Sequence, residues 1–352
     1  MLVAVHFSAV ASFCCRTYFV NLGGFMPIVP FENNNQAHAR LAELQKRTRP
    51  HLPKPSVLEV AHFHTKFLKN AKEHGHWIFV HNDKWVGYAD AMIPWWWSAT
   101  DALMVRIGVH PQYRHQGIGT QLLKHLVNFA QNKNCISLGG DVFDLNPEEL
   151  RFVDKYGFEL KQKDTCSIYD TTNPISKTLK DTYQHVCALG VEIIRGDELI
   201  RRRPDQWQKM WWAFETETVA DVPCPSERKP MSFEKWQARL SSPSFSPREF
   251  FFAFDEDRLV GLSGGVIFPG EPSKGGVHFT GVLKSHRRKN IATALKVAAT
   301  QHLIDAGVQE IVTNNEKDNP MLKLNEAFGF VPAYACMFFQ ANVAALHQQL
   351  TD

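Results

Sequence analysis

The chain repeats itself. Asp83-Lys84-Trp85-Val86-Gly87 returns as Asp257-Arg258-Leu259-Val260-Gly261. Val109-His110-Pro111-Gln112-Tyr113-Arg114 aligns with Val282-Leu283-Lys284-Ser285-His286-Arg287, and Lys155-Tyr156-Gly157-Phe158 with Ala327-Phe328-Gly329-Phe330. The copies lie about 173 residues apart, with almost no drift along the whole stretch. A period this long excludes a solenoid, because each copy has strands and helices enough for its own core. The length of 352 residues agrees with two domains.

Composition narrows the class further. With 39 Lys+Arg against 36 Asp+Glu the net charge is +3, and no long basic block occurs, which argues against nucleic-acid binding. Hydrophobic residues make up 44%, as in an ordinary globular protein. The seven cysteines include no CxxC pair and are odd in number, so they read as a reduced cytoplasmic set and not as disulfides or a zinc knuckle. Residues 1–25 form a doubtful N-terminal extension. They are apolar with Arg16 as the one formal charge, too interrupted for a membrane span, and without the basic start of a secretory signal. The expected division is 1–25 extension, 26–172 first domain and 173–352 second domain, with no membrane span elsewhere.

Each copy reads as helices, a hairpin, a strand, a helix, a strand, a short helix and a closing strand. In the first copy, helices are expected over 37–46 and 55–70, then strand 104–109, helix 120–131, strand 136–142 and helix 147–155. A connecting helix is expected over 174–188, capped by Asn173 and stopped by Gly190. The fold class is α+β with a mixed sheet.

The sharpest motif is Arg114-His115-Gln116-Gly117-Ile118-Gly119-Thr120, between a strand and a helix. Glycines there let backbone N–H groups approach a ligand, and the helix N-terminus favours an anion, so the loop suits a pyrophosphate. No early βαβ unit carries an acidic residue about 20 positions onward, which disfavours a dinucleotide fold. The whole string Val-x-Pro-x-Tyr-Arg-x-x-Gly-x-Gly, followed by Tyr156-Gly157-Phe158, resembles the acetyl-CoA motif of the GNAT acyltransferases. In the second half Thr280-Gly281-Val282, Thr313-x-Asn315, Asn319-Pro320-Met321-Leu322, Asn325-Glu326 and Gly329-Phe330 resemble the same superfamily, in a tandem layout similar to mycothiol synthase.

That resemblance implies two fused GNAT-like acyltransferase domains moving an acetyl group from acetyl-CoA to a small-molecule or peptide amine, in a monomer or homodimer. The implied cofactor contacts are Ile107, Val109 and Arg114–Thr120 (His115, Gln116, Gly117, Ile118 and Gly119 between them) in the first half. In the second they are Thr280, Val282, Arg287, Arg288, Lys289, Asn290, Ile291, Ala292 and Asn319. Asn290 and Ala292 replace the two glycines of the second loop, and Asn tolerates left-handed backbone. The mechanism calls for a base, oxyanion donors and an acid for the departing thiolate. The tyrosine that many members place four residues before the Gly-Phe pair is here Val153 and Asn325. Tyr156 is a substitute acid if it reaches the site, and Tyr169 another. Base candidates are Asp101, Asp141 and Asp144 in the first half, and His278 and Glu316 in the second. A non-catalytic CoA-binding sensor is the rival reading.

Other features carry less. Trp95-Trp96-Trp97 reads as a substrate wall, a self-packed loop or a dimer patch. His62-x-His64 and His74-x-His76 lack partners at ligand spacing, so no metal is expected. Trp211 and Trp212 cannot share one helix face, so one of them is expected between the domains.

Overall fold

The computed structural model describes residues 28–218, 231–317 and 319–351, except for the side chain of His278. The N-terminal extension and the side chain of the His278 base candidate therefore lie outside the described residues.

The strands are β1 (Ile28–Pro30), β2 (His74–His81), β3 (Lys84–Met92), β4 (Ala102–Val109), β5 (Ser137–Phe143), β6 (Glu159–Asp170), β7 (Val191–Arg195), β8 (Phe250–Asp255), β9 (Arg258–Ile267), β10 (Lys274–Val282), β11 (Glu310–Glu316) and β12 (Val331–Asn342). Helices α1 (Asn35–Thr48), α2 (Val57–His62), α3 (Ile118–Asn132) and α4 (Pro147–Lys155) belong to the first copy. Next come α5 (Lys177–Ala188), α6 (Gly196–Arg202), α7 (Trp207–Thr218), α8 (Phe233–Arg239), α9 (Ile291–Asp305), α10 (Pro320–Phe328) and α11 (Val343–Thr351). The mixed α+β class and the order of elements in each copy are as the repeat implied.

All twelve strands join one sheet in the order β1-β2-β3-β4-β5-β12-β6-β11-β10-β9-β8-β7. The closing strand of each copy sits in the other copy's half of the sheet. β12 pairs antiparallel with β5, Phe338 opposite Asp141, and β6 pairs antiparallel with β11, Cys166 opposite Asn314. β6 and β12 then pair with each other at the centre, Asp164 opposite Cys336. Each following helix goes with its strand. α11 puts Val343 and Leu346 into the core under α3, whereas α5 puts Leu179 into the core containing Val297 of α9.

Sequence explains the local ends. Ser176, not Asn173, caps α5, its hydroxyl accepting from Leu179 N at 3.4 Å. Gly190 stops the chain at φ 94°, which only glycine adopts freely. Trp211 and Trp212 both stay in the second half. Trp211 packs on Phe250 and Phe252, its indole donating to Glu215 at 2.7 Å, and Trp212 donates to Met231 O at 2.8 Å. Both belong to the core that α7 and α8 form with β8 and β9, which holds them within the second half. Among the described residues no helix is long and apolar enough to cross a membrane.

Because β6 pairs only with strands of the second copy, a fragment of residues 26–172 has an unpaired strand and an open β5 edge. It is expected to associate or to remain unfolded, which light scattering and circular dichroism would show. A stable folded monomer would contradict the pairing.

Candidate active site

Each half of the sheet opens where two parallel strands part. β4 and β5 pair only from Ala102–Met104 against Ser137–Gly139, and β10 and β11 only from Lys274–Gly276 against Glu310–Val312. Beyond those points the backbone of β4 or β10 has no sheet partner on that side. His110 N donates to Val86 O at 2.8 Å on the β3 side, so strand alternation turns the N–H groups of Ile107 and Val109 toward the first cleft. Leu283 N donates to Val260 O at 2.9 Å, which turns Thr280 and Val282 the same way in the second.

The first cleft has a volume of about 520 Å³. Its walls are Val105–Val109, the loop from Tyr113 to Thr120, Leu123, Gly140–Val142 and the α4 residues Phe152 and Val153. Gly140 permits the close approach at the parting point, since a Cβ there would lie 2.4 Å from Val105 O. Gly117 is the left-handed cap of α3 (φ 78°) and has open space around it, so the first N–H groups of α3 face the cleft without intrahelical partners.

The second loop keeps this backbone without its glycines. His115 and Arg288 have φ 60° and 64°, and Gly117 and Asn290 have φ 78° and 60°. Arg114 Nε donates to Val109 O at 3.3 Å, and Arg287 Nε to Val282 O at 3.1 Å. These arginines fasten the loop to the strand end. Arg114 also meets Glu148 at 3.1 Å, and His115 meets the same carboxylate at 2.8 Å. Hydrogen bonds from His115 and then Arg114 hold the Glu148 pKa down despite slight burial.

The two halves diverge inside the clefts. Where the first has Gly140, the second has Thr313, whose hydroxyl donates to Val277 O at 3.2 Å. Where the first has Leu123, the second has Lys296, only 1% exposed. Its ammonium lies 4.6 Å from the Phe330 ring centroid and has no carboxylate partner among the described residues. Burial pushes its pKa down to about 7.

The second cavity, of about 390 Å³, is shared across the seam. Thr280, Lys296, Thr313, Asn315, Glu316, Asn319 and Asn325 face Trp96, Trp97, Asp141 and Asp164, with Phe338 and Cys336 of β12 between. Of the expected residues, this brings together Thr280, Glu316, Asn319 and Asn325. Asn325 donates to Asn315 Oδ1, and its own Oδ1 is buried with no hydrogen-bond partner among the described residues. The Asn319 side chain caps α10, accepting from Met321 N at 2.9 Å. Ser263 and Thr280 share a hydroxyl hydrogen bond of 2.9 Å. Arg287, Arg288, Lys289 and Asn290 are exposed outside this cavity, and Ile291 and Ala292 pack into the core below.

Tyr156 is not at the cleft surface. It is buried in the first core, and its hydroxyl meets Thr120 Oγ1 at 2.7 Å. Gln116 is exposed and bonds Gln112 O at 3.4 Å. Tyr169 bonds Asn173 O away from either cleft, and Asp144 accepts from Ala335 N at 2.7 Å. Asp141 is different. It lines the first cleft, the shared cavity and a smaller cavity beneath β4. Asp141 keeps accessible surface toward these cavities while protein packs densely around it. Burial raises its pKa above the usual carboxylate value, against the pull of Arg49 and Arg106. In the run Trp95–Trp97, Trp96 and Trp97 line the shared cavity, while Trp95 packs on Phe67 and Trp96.

This architecture agrees with the comparisons. The family model described as acetyltransferase (GNAT) family matches residues 39–158 and again 206–330. The chain belongs to the GNAT acetyltransferase family. As a tandem GNAT protein it is an N-acetyltransferase by family. Curated relatives named mycothiol acetyltransferase include one from Thermobispora bispora, 23% identical over 63% of this chain and 70% of that protein. Another, from Arthrobacter sp., is 24% identical over 64% of this chain and 66% of that protein. Among solved structures, a tandem GNAT protein from the clavulanic acid biosynthesis pathway is 17% identical with TM-score 0.71, over 91% of this chain and 99% of that one. A GCN5-related N-acetyltransferase from Sphaerobacter thermophilus has TM-score 0.65 at 17% identity, over 91% and 97%. These structures share the fold.

Lys296 yields a stability prediction. Its folded pKa lies below the unfolded value, so between about pH 7 and 10.5 the unfolded chain binds more protons and stability rises with pH. Lys296→Met should stabilise the protein in urea by roughly 1–3 kcal/mol near pH 6. The gain should shrink toward pH 10.

Proposed function

We infer that the first half holds acetyl-CoA and that an amine reaches it from the shared cavity. The carrying observation is that Asp141 lines both the cleft between β4 and β5 and the cavity under the seam. The residues fit the donor: a left-handed glycine cap and free helix N–H groups for the pyrophosphate, and the open edge of β4 for the pantetheine arm. The family generally uses acetyl-CoA, which when bound supplies an acetyl group activated as a thioester.

The chain's own residues then divide the work. Gly117–Thr120 anchor the phosphates, while Ile107 and Val109 offer N–H groups to the arm and the acyl oxygen. Asp141 takes the proton of the incoming ammonium, a task its raised pKa suits. With Val153 in the usual tyrosine position, the departing thiolate takes its proton from solvent in the open cleft. Asp141, Asp164 and Glu316 make the shared cavity acidic apart from Lys296, which favours a cationic amine. Trp96, Trp97 and Phe338 supply apolar walls. The acceptor is therefore read as a small polar amine, a class compatible with the relatives named mycothiol acetyltransferase. The division into copies 26–172 and 173–352 serves this reading at the level of sequence, with the acceptor cavity built from both.

Calorimetry with acetyl-CoA tests the donor site. Gly117→Glu, which forces a side chain and a negative charge into the left-handed seat, should abolish binding, whereas Asn290→Glu should leave it intact. The reverse pattern would move the donor to the second half. Asp141→Asn should lower kcat about 100- to 10,000-fold on any accepted amine, with little change in acetyl-CoA affinity. It should also remove the acid limb of the pH profile, since wild-type activity rises as Asp141 loses its proton. Firm binding with no thiol release across a broad amine panel would favour the sensor reading.

A further inference from the structure

The face of the first half-sheet covered by α1 and α2 holds a cluster that acyl transfer does not use. His76 on β2 lies directly opposite Asp90 on β3, and Asp90 directly opposite Arg106 on β4. Residues opposed in this way project on one face. His64, from the helical turn Phe63–Phe67 that continues α2, comes down onto the same face. Its ring centroid lies 4.5 Å from that of His76. His64 and Asp90 are each 8% exposed, and the His76 side chain 5%.

We propose that His64, His76 and Asp90 bind a divalent transition-metal ion of the zinc class. Each offers one ligand atom, and the three atoms lie within 4.8 Å of one another. The second observation concerns hydrogen bonding. Among the described residues His64 Nε2 is buried without a hydrogen-bond partner, and Asp90 Oδ2 has only Arg106 Nε nearby, at 3.6 Å. Folded proteins pair nearly all such atoms, and a buried imidazole nitrogen left open beside a second imidazole and a carboxylate suits a ligand that accepts lone pairs. A metal ion does so.

The donor set selects the ion. Two imidazoles with one carboxylate suit Zn²⁺ or Co²⁺, whereas Mg²⁺ and Ca²⁺ prefer oxygen throughout. His76 Nδ1 and Asp90 Oδ1 approach each other directly, as two ligand atoms facing one ion do. An outer shell is also present. His38, 2% exposed and stacked on His64 at 6.2 Å, is held by Asn33 at 2.7 Å and keeps its Nδ1 unpartnered. Arg106, 3.6 Å from Asp90 Oδ2, provides the counter-charge that orients the carboxylate. A cavity of about 190 Å³, lined by Asp90, Arg106 and Asp141 among others, lies beside the cluster on its carboxylate side. A bound ion would clasp the α2 turn to β2 and β3.

The test uses the full chain, stripped with a chelator and titrated with zinc chloride. One ion should bind per chain at micromolar or tighter affinity and raise the melting temperature. His64→Gln and Asp90→Asn, shown to be folded by circular dichroism, should weaken binding by more than the about 10- to 100-fold typical of outer-shell changes. Cobalt binding to the wild type should give the intense visible absorption of a four-coordinate nitrogen–oxygen site. That readout stands even if the variants do not fold. No zinc binding, binding unchanged in folded variants, or a weak six-coordinate cobalt spectrum would each overturn the proposal. Such results would make the cluster a packed polar network only.

Discussion

The antiparallel pairing of β6 with β12 is the contact on which the rest of the molecule depends. It sits at the middle of the sheet, with Asp164 opposite Cys336 near its centre, and each strand is held on its other side by the copy it did not come from. Cys166, Ser167, Met337 and Phe338 are buried along this ladder. Neither half can complete its core without a strand and a helix lent by the other. The cavity beneath the seam is a product of this exchange, because β12 brings Phe338 and Cys336, and β6 brings Asp164, against residues of both copies.

The parting of parallel strands is the second constraint, and its consequences differ between copies. In the first, Gly140 and Leu123 leave the gap open. In the second, Thr313 reaches across to Val277 O, and Lys296 lies on the rings of Phe328 and Phe330. A duplicated fold thus keeps its backbone while two side chains decide whether a slot is apolar and long or polar and short.

Much of the fold could be read from the sequence because the repeat and the apolar periodicity are local signals. Elements of both copies, the anion loop and the left-handed tolerance of Asn290 all follow from residues close together in the chain. The exchange could not be read, since two equivalent closing strands match either partner equally well in pattern. Tyr156 illustrates the limit at the site. Spacing marks it beside the Gly-Phe pair, yet a helical turn more or less decides between cleft and core, and its bond to Thr120 fixes it in the core. Asp141 was one of several carboxylates at strand ends until the cavities met at it. The histidine cluster was hidden for a related reason. Of the pairs 62/64 and 74/76, one member each meets Asp90, through a cross-strand register and a helical turn that spacing along the chain does not reveal.

The positive φ angles shared by His115 and Arg288, and by Gly117 and Asn290, have a consequence for how such a protein can change. The second copy keeps the loop backbone of the first with Asn290 and Ala292 where the first has Gly117 and Gly119. Loop shape is therefore separable from glycine content. The exposed side chains of that loop can vary while the dihedral angles that present its backbone stay the same.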